Sequence, residues 1–358
     1  MKRKLLLASV VFGMAFQPCW AQSSVTVSGL LDTAVTYVSN EAGGHSAQFF
    51  STGEAYPNFL IFSGHEDLGG GTEAVFKLTN QFEIGNGSLI PGQGLFLTSY
   101  VGLDNGSYGR LTFGNQYDFT FDSLVGTSVN PALYGGVLAV PNGPFNKLAL
   151  PNNPTGAFNW DRSAGVSLPN AVKYLSPEFG GFSAGAMYSF GNVAGSIGAN
   201  NASSFALNYA NGGFGANAAY TNYKTDTPAG QVSVRLWGVG AHYRIGPVNT
   251  SALFETIHNS ANGGSVWLAQ VGSEWWVTSF LTVNGIYSYM KGNAVVDNNH
   301  SNQLTGMVRY YLSKRTSVYV HAAYQWTNSG AQAQIGGIMV PSSTSNQFVG
   351  GIGLTHFF

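Results

Sequence analysis

Cysteine, charge and long apolar runs are all scarce in this sequence. The one cysteine is Cys19, so the chain after it excludes disulfides, thiol catalysis and cysteine metal sites. Charged residues make up only 9% of the chain, against about 25% in a typical soluble domain. Beyond the amino-terminal stretch, no apolar run approaches the roughly 18 residues that indicate a membrane-spanning helix. Both an ordinary soluble domain and a helical membrane protein are therefore disfavoured.

The amino terminus has the pattern of a secretory signal peptide. Residues 2–4 are basic, residues 5–16 form a short apolar stretch, and the small residue Ala21 suits a cleavage site. We therefore expect residues 1–21 to be removed and the mature chain to begin at Gln22. That chain carries 12 basic and 16 acidic residues, a net charge of about −4. This balance does not indicate a nucleic-acid partner, which calls for a basic surface.

Alternation of apolar and polar residues is the dominant pattern of the remaining chain. Between residues 281 and 289, apolar Val283 and Tyr287 alternate with polar Asn284 and Ser288. Period-two alternation indicates β-strands with one apolar and one polar face. Lipid accepts only structures in which every backbone group is hydrogen-bonded, so such strands would close into a barrel. A soluble all-β protein is the alternative interpretation.

The alternating stretches predict an all-β fold, a 16-stranded antiparallel transmembrane β-barrel that occupies residues 22–358. The gaps between them are short and long in turn, as expected of turns at one barrel end and loops at the other. The candidate strands are 24–38, 57–68, 72–84, 95–104, 108–117, 168–176, 181–190, 203–211, 214–224, 232–245, 247–259, 264–276, 279–291, 302–313, 315–328 and 345–357.

One long gap, 118–167, interrupts this rhythm. It contains Pro131, Pro144 and Pro151 and shows little alternation. Loops of this length without regular structure are usually functional or disordered. We therefore expect the segment 118–167, the third long loop, to take part in function.

Several motifs, in order along the chain, resemble the general porins of Gram-negative bacteria, especially the Burkholderia-like and Neisseria-like branch. They read SSVTVSGLLD at 23–32, GHEDLGGG at 64–71, AVF at 74–76, YVGL at 100–103, GRLTFG at 109–114, QYD at 116–118 and AVKYLSPEFGGF at 171–182, and the chain ends on Phe358.

The resemblance implies an outer-membrane homotrimer in which each subunit is a water-filled pore. The third loop, 118–167, would fold inward and constrict that pore, and ions and small hydrophilic solutes would diffuse through it passively. Phe358 would be the signal read by the barrel-assembly machinery, and lipids and lipopolysaccharide would surround the barrel. The resemblance implies no catalysis, metal or cofactor, and the scattered histidines show no ligand spacing.

The chain departs from the family where arginines line the pore wall. The matching positions hold Phe59, Ser63, Leu97 and, approximately, Ser167. The remaining candidate cations of the pore wall are Lys77, Arg110, Lys173, Arg235 and Arg309. The candidate constriction-loop charges are Asp118, Asp122, Lys147, Asp161 and Arg162.

Two functional interpretations follow from the missing arginines. If the acidic loop residues dominate the field of the pore in the absence of those arginines, the pore is a general channel with weak cation selectivity. If Phe59 and Leu97 form an apolar surface, the channel instead favours neutral or aromatic small molecules. A third interpretation is structural, because both side chains could pack under the loop 118–167 and only anchor it.

Overall fold

The computed structural model describes residues 23–90, 93–140, 142–151, 165–228 and 230–358. Within them the chain forms seventeen strands, joined by short turns or by longer loops. Their bounds are β1 Ser24–Glu41, β2 Gly44–Phe49, β3 Phe59–Gly69, β4 Thr72–Gln81, β5 Thr98–Asn105, β6 Gly109–Tyr117, β7 Ser167–Leu175, β8 Phe182–Ser189, β9 Ala202–Asn211, β10 Phe214–Thr227, β11 Gly230–Ile245, β12 Val248–Asn259, β13 Gly264–Thr278, β14 Leu281–Gly292, β15 His300–Tyr311, β16 Thr316–Thr327 and β17 Asn346–Phe357.

Sixteen of these strands form a closed antiparallel barrel, as the sequence predicted. From β3 to β17 each strand pairs with the next, and β1 pairs with both β3 and β17. Strand β2 is additional, because it pairs only with the loop-side half of β1. The alternation pattern of the sequence predicts a loop over the residues that form β2. Its six residues have no buried face, so no apolar alternation marks them.

The barrel closes where the first and last strands meet. Residue Leu30 of β1 stands opposite Phe357 of β17, and the register continues to the pair Val38 and Val349. Beyond the ladder, the Gly29 N–H donates to the Phe358 carbonyl (3.1 Å) and the Phe358 N–H donates to the Gly29 carbonyl (3.0 Å). Closure leaves no free strand edge, which is the condition for a sheet in lipid.

The two faces of the wall differ in chemistry. On β14, Val283 and Tyr287 are each 37% exposed, whereas Asn284 and Ser288 on the other face are 7% and 2% exposed. The apolar face therefore points outward and the polar face inward. On β11, Arg235 shares the outward face with Trp237, so the prediction that it is a pore cation is wrong. Among the described residues, no helix is long and apolar enough to cross a membrane.

Candidate pore and the loop that lines it

The described part of the segment 118–167 lies against the inward, polar face of the wall. One amide side chain on each of five consecutive strands, β12 to β16, donates to a backbone carbonyl of this segment. The pairs are Asn259 to Leu148 (2.8 Å), Gln270 to Ala139 (3.0 Å), Asn284 to Tyr134 (2.7 Å), Gln303 to Leu138 (2.6 Å) and Gln325 to Asn142 (3.1 Å). Buried backbone carbonyls need partners, and these amides supply them in place of water.

Apolar side chains hold the same segment to the wall at three points. Leu124, Leu138 and Leu148 are each 0% exposed. Leu138 packs in a cluster with Met307 of β15, and Leu148 packs in another with Leu268 of β13. Each buried leucine contributes about 1.5–3 kcal/mol relative to exposure. Leu138 and Leu148 therefore hold the segment in two ways, since their carbonyls accept from wall amides and their side chains are buried against the wall.

Asp118 closes the base of the loop. The Phe121 and Val166 N–H groups donate to its Oδ1 at 3.0 and 3.2 Å, and the Thr221 hydroxyl donates to its Oδ2 at 2.7 Å. Burial raises the pKa of Asp118, although these hydrogen bonds act in the opposite direction. The carboxyl group is fully buried and joins the start of the segment to its end. It is therefore a structural clamp, and it does not present its charge to the pore.

Asp122 and Lys173 form an ion pair where the loop leaves the wall. The ammonium of Lys173 contacts Asp122, donates to the Tyr117 carbonyl at 2.7 Å and lies 4.4 Å from the centre of the Phe119 ring. Lys173 is 8% exposed, so its charge is largely used in these contacts. The structure thus brings together two predicted site residues, and each neutralises the other.

A second loop segment, residues 50–58, is fixed inside the barrel by a buried acid cluster. Asp32 accepts from the Glu54 N–H (2.6 Å), the Ala55 N–H (2.9 Å) and the Tyr319 hydroxyl (2.9 Å). Glu54 accepts from the Thr36 hydroxyl at 2.7 Å. Both carboxylates are 0% exposed. No local sequence pattern marks these acids as a cluster, because their partners are far apart in sequence.

The same cluster links the two inward loops. Glu54 Oε1 lies 2.8 Å from Nε2 of His321, an ion pair if the imidazole is protonated. The backbone carbonyl of Glu54 accepts from the Val137 N–H at 2.7 Å, at the tip of the segment 118–167. The position of that tip therefore depends on how firmly residues 50–58 are held.

Two cavities lie between these loops and strands β3 to β7. The loop-side cavity has a volume of about 550 Å³, and its strand residues, such as Asn115 and Ser167, lie at the long-loop ends of β6 and β7. The turn-side cavity has a volume of about 280 Å³, and its residues, such as Arg110 and Leu175, lie farther along the same strands. Both are lined by inward-facing wall residues and by the segment 118–167.

Three aromatic residues line both cavities and mark the junction between them. They are Phe59, Tyr117 and Phe121. The rings of Tyr117 and Phe121 are stacked, with centroids 3.7 Å apart and planes 11° apart. The junction is therefore aromatic where the family resemblance implies arginine. Phe59 was predicted for the pore wall, but the stacked pair was not, since only the folded loop brings Phe121 under Tyr117.

The chemistry of the two cavities differs. Apolar side chains dominate the loop-side cavity, including Phe96, Leu97, Leu133, Val137 and Val140. The turn-side cavity contains Lys77, Arg110 and Lys173 with Asp122. Arg110 forms an ion pair with Asp104. Among the described residues, no carboxylate forms an ion pair with Lys77.

The remaining predicted wall residues fall in three places. Ser63 stands opposite Lys77 in the β3–β4 ladder, so the two share the inward face. Leu97 and Ser167 line the loop-side cavity, where the Ser167 hydroxyl donates to the Leu97 carbonyl at 2.6 Å. Arg309 is buried on β15 and donates to the Tyr56 hydroxyl at 2.8 Å.

The remaining predicted loop charges lie away from the junction or outside the described residues. Lys147 is exposed and forms an ion pair with Asp297 at 2.7 Å. Asp297 belongs to the loop between β14 and β15. Lys147 lines neither of the two cavities. Asp161 and Arg162 lie outside the described residues.

The family assignment follows from a comparison over most of the chain. A family model described as Gram-negative porin matches residues 8–331. The chain belongs to this porin family. Outer membrane porin protein 32 of Delftia acidovorans is 29% identical over 339 residues, 90% of this chain and 89% of that protein. Major outer membrane protein P.IB of Neisseria meningitidis is 26% identical and covers 100% of both chains.

Solved structures support the same fold. An anion-selective porin from Comamonas acidovorans aligns with a TM-score of 0.77 and 23% identity, over 94% of this chain and 100% of that one. OmpT of Vibrio cholerae, in a trimer form, aligns with a TM-score of 0.66 and 13% identity, over 94% of this chain and 99% of that one. With the barrel and the family match, this porin is a multi-pass β-barrel of the outer membrane.

Proposed function

We propose that this porin is a passive diffusion channel for ions and small hydrophilic solutes. The observation that carries the proposal is a pair of neighbouring cavities along the inward face of the wall, which share Phe59, Tyr117 and Phe121 as lining residues. They lie between the wall and the segment 118–167, which we propose to be the constriction loop. Permeation through such a pore depends on its radius, the polarity of its lining and the local field.

We infer that the channel's charge selectivity is weak. The expected cation selectivity depended on free acidic groups, but Asp118 is buried and Asp122 is paired with Lys173. The solved porin from Comamonas acidovorans is described as anion-selective. Lys77, at the turn-side cavity, adds a positive charge without an ion pair among the described residues. We therefore expect a small preference for anions and do not propose a cation-selective pore.

Homotrimeric assembly is part of the proposal. OmpT of Vibrio cholerae, which shares the fold, has been solved in a trimer form. We also propose that lipids and lipopolysaccharide contact the outward apolar face, and that Phe358 is read by the barrel-assembly machinery. No catalytic residue, metal or cofactor is proposed.

Single-channel recording in planar bilayers tests the function. We expect conductance steps in groups of three in potassium chloride, and a reversal potential under a salt gradient that deviates slightly towards anions. A reversal potential that shows strong cation selectivity would contradict the inferred weak preference for anions, but it would not contradict the proposed diffusion channel. An absence of steps from folded, heat-modifiable protein would contradict the diffusion channel itself.

A second candidate function is selectivity for neutral or aromatic small molecules. It is favoured by the apolar lining of the loop-side cavity and by the stacked rings of Tyr117 and Phe121. Flat apolar solutes gain from aromatic faces, whereas strongly hydrated ions do not. Phe59 contributes to this surface, and its position at the junction favours a pore-wall role beside any role in anchoring the loop.

A further inference from the structure

The two neighbouring cavities present different chemistry to a passing solute. A solute that enters from the long-loop end meets an apolar cavity, then an aromatic junction, and then a cavity with excess positive charge. We propose that the preferred solutes of this channel are small aromatic monocarboxylates, an inference that rests on the proposed diffusion function. Benzoate is the simplest member of this class.

The loop-side cavity suits the aromatic body of such a solute. Its volume of about 550 Å³ lies within the range of small-molecule sites, roughly 300–1,000 Å³. Its lining includes Leu133, Val137 and Val140 of the segment 118–167, together with Phe96 and Leu97, which precede strand β5. A hydrated ion gains no free energy from this lining, whereas a planar ring is stabilised because it buries apolar area against it.

The junction favours a flat solute over a branched one. The stacked rings of Tyr117 and Phe121 line it together with Phe59. Aromatic rings attract one another in offset or edge geometry beyond the effect of the apolar area that they bury. Such contacts are weak enough for the solute to leave, which a conducting site requires.

The turn-side cavity attracts the carboxylate. Lys77, Arg110 and Lys173 stand there against Asp104 and Asp122, which leaves one positive charge in excess. Low-dielectric walls focus that field on the pore. An aromatic anion is therefore drawn through with its carboxylate leading, while an aromatic cation meets repulsion at the same place.

Bi-ionic reversal potentials in planar bilayers test the proposal. Within each pair, the organic ions compared carry the same charge and differ in whether they contain an aromatic ring. We expect benzoate to permeate better than acetate, although it is the larger ion. We expect benzylammonium to permeate no better than methylammonium. A benzoate-to-acetate ratio below one, in a channel that conducts potassium chloride, would overturn this inference alone. Absence of potassium chloride conductance would instead overturn the diffusion channel.

Two variants separate the ring from the charge. Phe121→Ser should lower the benzoate-to-acetate ratio about threefold by removing an aromatic face. Lys77→Gln should lower the permeabilities of benzoate and acetate, each relative to that of potassium, about threefold. It should leave the benzoate-to-acetate permeability ratio unchanged. Matched controls on the outward face are Phe113→Ser and Lys291→Gln, which should change neither quantity.

Folding is checked separately for every variant by heat-modifiable mobility and by potassium chloride conductance. If Phe121→Ser fails that check, Phe121→Leu keeps the apolar volume and removes only the ring face. An unchanged benzoate-to-acetate ratio in a folded variant at Phe121 would overturn the assignment of the ring-binding surface.

Discussion

At the scale of single residues, we expect the position of a side chain relative to the junction to decide its effect on permeation. Phe59 lines both cavities, whereas Leu97 lines only the loop-side one. Both stand where the resemblance implies arginine. Only Phe59 therefore lies where a new charge would border both cavities.

Phe59→Arg should raise the anion-to-cation permeability ratio by more than about tenfold, since a nearby unit charge lowers an anion's energy and raises a cation's by about 1 kcal/mol each in water-like surroundings. Leu97→Arg should change the ratio less. Reversal potentials under a potassium chloride gradient measure both. If Phe59→Arg changes only the size or noise of the current, Phe59 anchors the loop and does not line the pore.

Gly185 shows how a single hydrogen side chain makes room for the loop. A Cβ built at Gly185 would overlap the ring of Phe119, which is 2% exposed at the start of the segment 118–167. Gly185→Ala should therefore destabilise the protein by about 1–3 kcal/mol through overpacking. Urea titration of the refolded protein in detergent measures this. Gly285→Ala is the control, because its Cβ would meet nothing within 4 Å.

At the scale of elements, the channel depends on loops that are held by buried polar groups of the wall. The amides of β12 to β16 fix the segment 118–167, and Asp32 fixes residues 50–58. The hydrogen bond from the Val137 N–H to the Glu54 carbonyl couples the two. Loosening either loop should therefore widen or destabilise the same passage.

Asp32→Asn should increase conductance and open-channel noise. The amide keeps an oxygen for the donors at Oδ1, which are Glu54, Ala55 and Tyr319, but that oxygen no longer carries charge. The Thr355 hydroxyl, which donates to Oδ2, would face an NH₂ group instead, and a lost bond to a charged group costs about 1.5–3 kcal/mol. Single-channel recording and thermal loss of heat-modifiable mobility measure the two effects. The exposed residue Asp226 is the control, since Asp226→Asn still accepts from Gln231. Equal behaviour of both variants would contradict the anchoring role of Asp32.

At the scale of the whole molecule, stability depends on closure between β1 and β17. The two backbone hydrogen bonds between Gly29 and Phe358 extend the closing ladder past its last paired residues. Phe358 is 43% exposed, so its ring is accessible as well. The backbone and the ring of this residue can therefore serve separate purposes.

Deletion of Phe358 should lower refolding stability in detergent by about 2 kcal/mol, because two backbone hydrogen bonds are lost. Phe358→Ala keeps those bonds and should refold nearly normally, but it should reach the outer membrane in lower amount. Equilibrium refolding and membrane fractionation measure the two readouts. Normal membrane levels of Phe358→Ala would contradict the proposed assembly signal.

The sequence by itself determined the antiparallel barrel, its sixteen strands and, through alternation, the apolar and polar faces of strands such as β14, although it assigned Arg235 of β11 to the wrong face. Alternation is a local property, so every predicted strand overlaps an observed one, and only the short exposed strand β2 was missed. Sequence also pointed to Phe59 as a residue of the pore wall.

Only the tertiary structure decided which charges are free and what the junction is made of. Asp122 and Lys173 are 51 positions apart, and Thr221 reaches Asp118 across 103 positions. The stacking of Phe121 on Tyr117 likewise depends on the course of the folded loop. Such pairings arise from closure of the wall around the loop, and because no periodic pattern encodes them, the sequence did not predict that Asp118 is buried or that Asp122 is paired with Lys173.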